Sequence, residues 1–323
     1  MKHSVLVAIG TFLISAQSVM AEVDQKPLFS LGGVSISGYA DLSYFDDETN
    51  SGSFARADID LTYLPNRSPS SFSLGLSLGF DGARQSGSGG INSGVFYPAV
   101  LFDFGDSGRV SVGAPRSVMN RGYIPTSVFA LNSRLDLQLS PFTDSVVPYL
   151  ALAGDYHPYG IRYDTAFGNT EIGISFNRIS DSGLDADFYA MAFSHTFESS
   201  GRIPELDLFG AVERIDTGTL NTRNYSLGIE ASFDNLDVGF RIDERNLPLD
   251  TRTAELYGRM QFTTALSTSA SVININPDIG SSVTVYGIAV EYLFVNNTYF
   301  NASYSDGSNG VPRNIDLSVG WRF

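Results

Sequence analysis

Apolar and polar side chains alternate along most of this chain. From Phe72 to Asp81 an extended backbone sets Phe72, Leu74, Leu76, Leu78 and Phe80 against Ser73, Gly75, Ser77, Gly79 and Asp81. The stretches 57–64, 254–262, 285–294 and 315–323 repeat the pattern, as in Ala57, Ile59, Leu61 and Tyr63 against Asp58, Asp60 and Thr62. Period two belongs to strands with one greasy and one wet face. No stretch repeats as convincingly at 3.6 residues, so helix is expected to be a minor element. Strands are predicted at 34–45, 55–64, 72–81, 95–104, 108–114, 158–165, 171–179, 185–197, 206–215, 223–233, 236–246, 252–262, 265–275, 283–294, 297–305 and 313–323, sixteen in all. Gly, Ser, Asn, Asp and Pro mark the connections, and long ones tend to alternate with short ones.

Alternation alone does not say which face meets water. In a soluble sandwich the apolar faces meet in a core; in a membrane barrel they face lipid and the polar faces surround a lumen. Sixteen strands are too many for one sandwich, and no linker divides the chain. The polar faces carry Ser, Gly, Asp, Glu and Arg in quantity. Aromatic residues recur near strand ends (Tyr44, Phe45, Tyr63, Phe80, Phe104, Tyr292, Phe294), as two interfacial girdles require. An even count lets the last strand, ending on Phe323, pair with the first and close the ring without a free edge. The fold class expected is therefore all-β, a transmembrane antiparallel β-barrel.

Composition sharpens this picture. Residues 1–21 combine Lys2, an apolar run from Val5 to Ile14 and the small-x-small segment Val19-Met20-Ala21. That is the form of a secretory signal peptide, cleaved after Ala21 to leave residues 22–323 as the barrel. The apolar run is too short to span a bilayer, which takes about twenty residues. Removing Lys2 with the leader takes the formal net charge from −15 to −16 and leaves Lys26 as the only lysine. A chain so acidic lacks the basic face that nucleic acid demands. Cysteine is absent, so no disulfide or thiolate chemistry enters.

The leader, "ISGYADLSYF" (36–45), "GIRYDT" (160–165) and the closing "VGWRF" (319–323) together resemble the general bacterial outer-membrane porins. In length the chain looks most like the porins of purple non-sulfur bacteria. The resemblance implies a homotrimer in the Gram-negative outer membrane, in contact with the lipid bilayer and lipopolysaccharide. It implies passive diffusion of small hydrophilic solutes and ions, without catalysis and with no cofactor. A channel selective for a sugar or dicarboxylate is the alternative.

The strand rhythm breaks at 116–157, and connections this long are usually functional. The resemblance makes this segment the third external loop, folded into the lumen as a constriction. Read from its residues, "RLDLQLS" (134–140) and "VVPYLALAG" (146–154) could instead be two further strands of an eighteen-stranded wall. By strand parity Arg56, Arg109, Arg162, Arg241 and Arg259 point into the lumen. The family's basic cluster falls on Arg56, Arg116 and Arg162, and the loop's own carboxylates are Asp136, Asp144 and Asp155. Arg suits such a place because it stays ionised and its planar fork holds position. The family's acidic loop turn is missing, and an apolar segment stands in its place. Asp46, Asp47 and Glu48 form an acidic cluster that could hold Ca2+ through hard oxygen ligands or bridge to lipopolysaccharide. The remaining histidines, His157 in the long loop and His195 on the lipid face by parity, offer no base–nucleophile arrangement.

Overall fold

The computed structural model describes residues 29–48, 50–65, 72–86, 92–120, 123–125, 133–143, 145–154, 156–181, 184–200, 204–247 and 250–323. The leader and its cleavage site after Ala21 lie outside the described residues, as do Asp144 and Asp155. A short strand, β1 (Phe29–Leu31), precedes the wall: β2 (Val34–Asp46), β3 (Ser51–Tyr63), β4 (Ser73–Gln85), β5 (Asn92–Asp103), β6 (Arg109–Gly113), β7 (Tyr159–Phe167), β8 (Thr170–Asp181) and β9 (Leu184–Phe197). The second half continues with β10 (Glu205–Asp216), β11 (Asn221–Ser232), β12 (Leu236–Arg245), β13 (Thr251–Gln261), β14 (Leu266–Pro277), β15 (Val283–Leu293), β16 (Thr298–Gly307) and β17 (Asn314–Arg322). From β2 onward each strand pairs antiparallel with the next, and β17 pairs with β2. The result is a closed barrel of sixteen strands, with β1 an added hairpin arm on β2.

Closure uses the residues at the very end. Trp321 lies opposite Ala40 and Arg322 opposite Tyr39, and the Phe323 amide donates to the Gly38 carbonyl at 2.9 Å. Gly38 has φ +117°, and a Cβ there would sit 2.0 Å from the Asp58 carbonyl oxygen. Only glycine lets β2 come that close to β3 beside the seam.

The wall has two faces. Leu42, Tyr44, Leu74, Leu76, Leu227, Val272, Ile288 and Val319 stand exposed on the outside. Ser43, Asp58, Asp81, Glu230, Asp243, Glu255 and Asp316 turn inward and are covered. No helix among the described residues is long and apolar enough to cross a membrane, which says nothing of strands. Phe45 departs from the girdle expected of it: it faces inward and is 1% exposed, because Tyr44 takes the outward position beside it.

Two expectations about connections change. Residues expected in turns, such as 82–85 and 92–94, extend β4 and β5 instead. Apart from 114–158, the connections at the rim of the long loop run only from two residues to six, against two to nine at the other rim. Long and short connections therefore do not alternate.

Nor does the long loop add strands to the wall. It holds two helices, α1 (Ser133–Thr143) and α2 (Val146–Gly154). The spacing that read as a strand has a different cause. On a helix, Leu135 and Leu139 fall on one side and Leu137 nearly opposite, because each residue turns about 100°. Leu139 packs with Ile273, Ile275 and Val285 of β14–β15, alongside Leu135. Leu137 packs with Phe45, Phe54, Val95 and Tyr97 of β2–β5. One leucine row thus serves two walls of the lumen. In α2, Val146 and Val147 meet Ile179, Phe188 and Ile215 of β8–β10, while Ala151 and Leu152 join the cluster on β2–β5. The apolar stretch that replaces the family's acidic turn is packing surface.

Candidate functional site: the lumen and its inserted loop

Strand parity and the root of the loop together place the charged groups. Arg116 follows β6 where the chain turns inward. Its Nη2 donates to Asp58 Oδ1 at 2.8 Å and to the Phe80 carbonyl at 3.1 Å, and its Nε to Asp60 Oδ1 at 3.1 Å. The guanidinium lies 4.5 Å over the Tyr97 ring. Burial by itself favours the neutral form, but Asp60, Tyr97 and Asp81 reverse this and hold the Arg116 pKa above the ordinary arginine value. Arg162 on β7 grips Asp164 two residues along at 2.7 Å and reaches the Arg116 carbonyl at 3.4 Å. Tyr123 of the loop donates to Asp164 at 2.7 Å, and burial together with that carboxylate pushes its phenol pKa upward. Arg56 pairs with Asp81 at 3.1 Å, not with Asp58, which Arg116 has taken.

Arg56, Arg116 and Arg162 are thus brought to one side of the barrel. Their carboxylates come from the wall, through Asp58, Asp60, Asp81 and Asp164. From the loop, Asp136 on α1 adds to the field at Arg56. Among the described residues the ion pairs of these three arginines are made with carboxylates of the wall, while Asp144 and Asp155 of the loop lie outside the described residues. Arg109 stays on this side too, bonded to Asp103 at 2.9 Å. A cavity of about 460 Å3 opens here, lined among others by Asp60, Tyr97, Arg109, Arg116, Arg162 and Asp164.

Arg241 and Arg259 also point inward, but across the lumen. Arg241 pairs with Asp243 and Glu255, both at 3.2 Å. Arg259 shares Glu291 with Arg322. Arg241 and Glu255 are each 1% exposed, so this side is filled by side chains closing on one another.

Sequence reasoning missed the groups that fix the loop. Arg134 of α1 donates to Asp47 at 2.6 Å and to Asn314 at 3.1 Å, with its guanidinium 3.8 Å over the Phe45 ring. Between the helices, Ser145 donates to Glu213 at 2.5 Å, and Arg245 donates to the Thr143 carbonyl at 2.6 Å. The root is held by Asn177, which donates to the Pro115 carbonyl at 2.8 Å, and Arg241 donates to the Pro125 carbonyl at 3.2 Å. Parity marks Glu213 and Arg245 as inward; only the path of the loop explains their partners.

The acidic cluster at 46–48 does not converge. Asp46 is exposed, Asp47 is held by Arg134, and Glu48 pairs with Arg313 at 3.3 Å. Among the described residues no three His, Cys, Asp or Glu side chains gather as a metal cage. His157 is exposed after α2. His195 faces outward, edge-on to Phe197 with ring centroids 4.3 Å apart, and 2.7 Å from the Thr170 hydroxyl.

A closed ring of sixteen strands, apolar outside and charged inside, with a long loop folded into its lumen, defines the fold of a bacterial porin. Solved structures agree. A triple variant of the Rh. blastica porin superposes with a TM-score of 0.62 at 19% identity, covering 90% of this chain and 100% of that one. Another triple variant of the Rhodopseudomonas blastica porin gives 0.60 at 18%, and a porin refined at 1.8 Å gives 0.60 at 16%, with the same coverage in both. No protein-family model and no curated protein matches the chain.

Proposed function

We propose that the protein is an outer-membrane porin, a passive diffusion channel for small hydrophilic solutes and ions. The observation that carries this reading is the two-faced closed wall together with a loop riveted inside it. The exterior suits hydrocarbon, and the interior keeps charged groups at fixed positions along a path. The loop sets the size limit, and the paired Arg and Asp side chains of the cavity give a transverse pattern of charge. Those pairs nearly cancel locally, so an acid-rich mouth and wall, and not the total charge of the chain, tip the preference mildly toward cations. The mature barrel works as a homotrimer among lipopolysaccharide molecules, has no catalytic role and needs no cofactor.

Swelling of liposomes that contain the purified protein tests this reading. Small neutral sugars are expected to enter and larger ones to be retarded in order of size. Liposomes that stay osmotically intact toward every solute would remove the diffusion reading. A solute-selective channel is the second reading, favoured by how little of Arg241, Arg245 and Glu255 remains exposed. It differs in requiring saturable block of current by its own solute.

A further inference from the structure

Toward the rim opposite the long loop, the inner face of β10–β12 carries an acidic set of its own. Asp207 turns inward on β10, Glu230 on β11 and Asp237 on β12. Asp207 lies directly opposite Glu230, and Asp237 follows one row nearer the rim. Like charges set opposite each other across a strand pair repel.

Elsewhere in the lumen carboxylates are matched. Asp81, Asp164, Asp243, Glu255 and Glu291 each have an arginine at 3.4 Å or less. Asp207, Glu230 and Asp237 have no such partner among the described residues. Arg259, opposite Asp237 in the register, pairs instead with Glu291 at 3.4 Å. Two of the three carboxylates are held by neutral donors. Thr196 donates to Asp207 at 2.5 Å, and Tyr257 donates to Glu230 Oε2 at 2.7 Å. Tyr257 reaches across β12 because Gly239 lies beneath it; a Cβ there would sit 2.1 Å from the ring. The other oxygen, Glu230 Oε1, is buried without a hydrogen-bond partner, on a residue 2% exposed. Asp207 and Asp237 are half-buried and so meet the lumen. A carboxylate held out of water is costly unless a cation joins it, and the chain has no lysine beyond Lys26 to supply an ammonium.

We infer that this set binds a small organic cation through a primary ammonium group. Ionised carboxylates only accept hydrogen bonds, and an ammonium brings three donors, one for each of them. A metal ion fits poorly. Carboxylates on neighbouring strands stand about 5 Å apart, and among the described residues no three converge as a metal cage. The inference rests on the diffusion reading, which brings solutes past this wall.

The test is binding of n-butylammonium to the folded barrel in detergent micelles, followed by ligand-observed NMR. Tetramethylammonium, which has no N–H, is the parallel probe and is expected to bind at least about tenfold more weakly. Glu230→Gln and Asp207→Asn each keep an oxygen for the Tyr257 or Thr196 hydroxyl and remove the charge. Each is expected to weaken n-butylammonium binding about tenfold, as loss of one charge-assisted hydrogen bond does. Asp234→Asn, at an exposed position on the turn between β11 and β12, leaves it unchanged. Equal binding of the two cations, unchanged affinity in both lumen variants, or an equal loss with Asp234→Asn would each overturn the proposal. Single-channel conductance of the same proteins keeps the two readings apart. A barrel that conducts and binds no n-butylammonium removes the site alone. A barrel that binds it through Glu230 and Asp207 and passes no current removes the diffusion reading alone.

Discussion

Arg116 concentrates the chemistry of the lumen in one side chain. It neutralises Asp58 and Asp60, stacks on Tyr97 and anchors the root of the long loop. Breaking a buried pair by removing one partner costs about 3–5 kcal/mol, because the remaining charge stays uncompensated. Arg116→Ala is therefore expected to lower resistance to chemical unfolding in detergent by that order. It also removes the cation beside Asp60, which lines the cavity, so the reversal potential under a salt gradient moves toward cations. The direction of the Arg116 shift fixes the pH response. A base whose pKa is raised by folding contributes stability that is complete below its unfolded value and is lost only as pH climbs through the higher folded value. Tyr123 is likewise held neutral past its usual range. Neither group should then contribute a step in ion selectivity between about pH 7 and about pH 10, where a free tyrosine begins to ionise; a step in that window that disappears in Tyr123→Phe would show that Tyr123 titrates. Parity in the sequence was enough to turn Arg56, Arg109, Arg162, Arg241 and Arg259 inward. It was not enough to name partners, since Asp81 and Asp58 exchange places between Arg56 and Arg116 according to where the loop enters.

Among the elements, α1 and α2 are those the sequence concealed. A helix with one apolar face announces itself by a 3.6 period. A helix wedged between two walls is apolar on opposite sides, and its leucines then fall at every second position, as Leu135, Leu137 and Leu139 do. The strands were easier, because lipid on one side and polar lumen on the other impose strict alternation. Leu137→Ala and Leu139→Ala each remove a buried side chain from a separate cluster, at about 2–5 kcal/mol apiece. The clusters share no residue, but both leucines dock the same helix two positions apart, so the double variant should depart from additivity in a thermal melt. Leu137→Asp places a charge in a dry cluster. It should free the loop, visible as larger and noisier single-channel currents; currents identical to wild type would mean that α1 does not limit the pore.

At the level of the whole molecule, closure is the decisive feature. β17 joins β2 over eight register pairs from Ile315 to Arg322, so a chain ending at residue 313 would expose two strand edges. That truncation is expected to abolish the folded, detergent-stable barrel, judged by loss of protease resistance. The closing strand was readable from nine residues, because apolar and polar positions alternate strictly from Ile315 to Phe323 with aromatics at 321 and 323. The acidic set on β10–β12 was not readable, since inward Asp207 and Glu230 become neighbours only once two strands are set in register. The measurement that bears most directly on the barrel as an aqueous path is single-channel recording of the purified protein in a planar bilayer. Discrete, ohmic conductance steps that grow with salt concentration are expected. A folded, inserted barrel that passes no current at any voltage would contradict the assignment of a water-filled lumen.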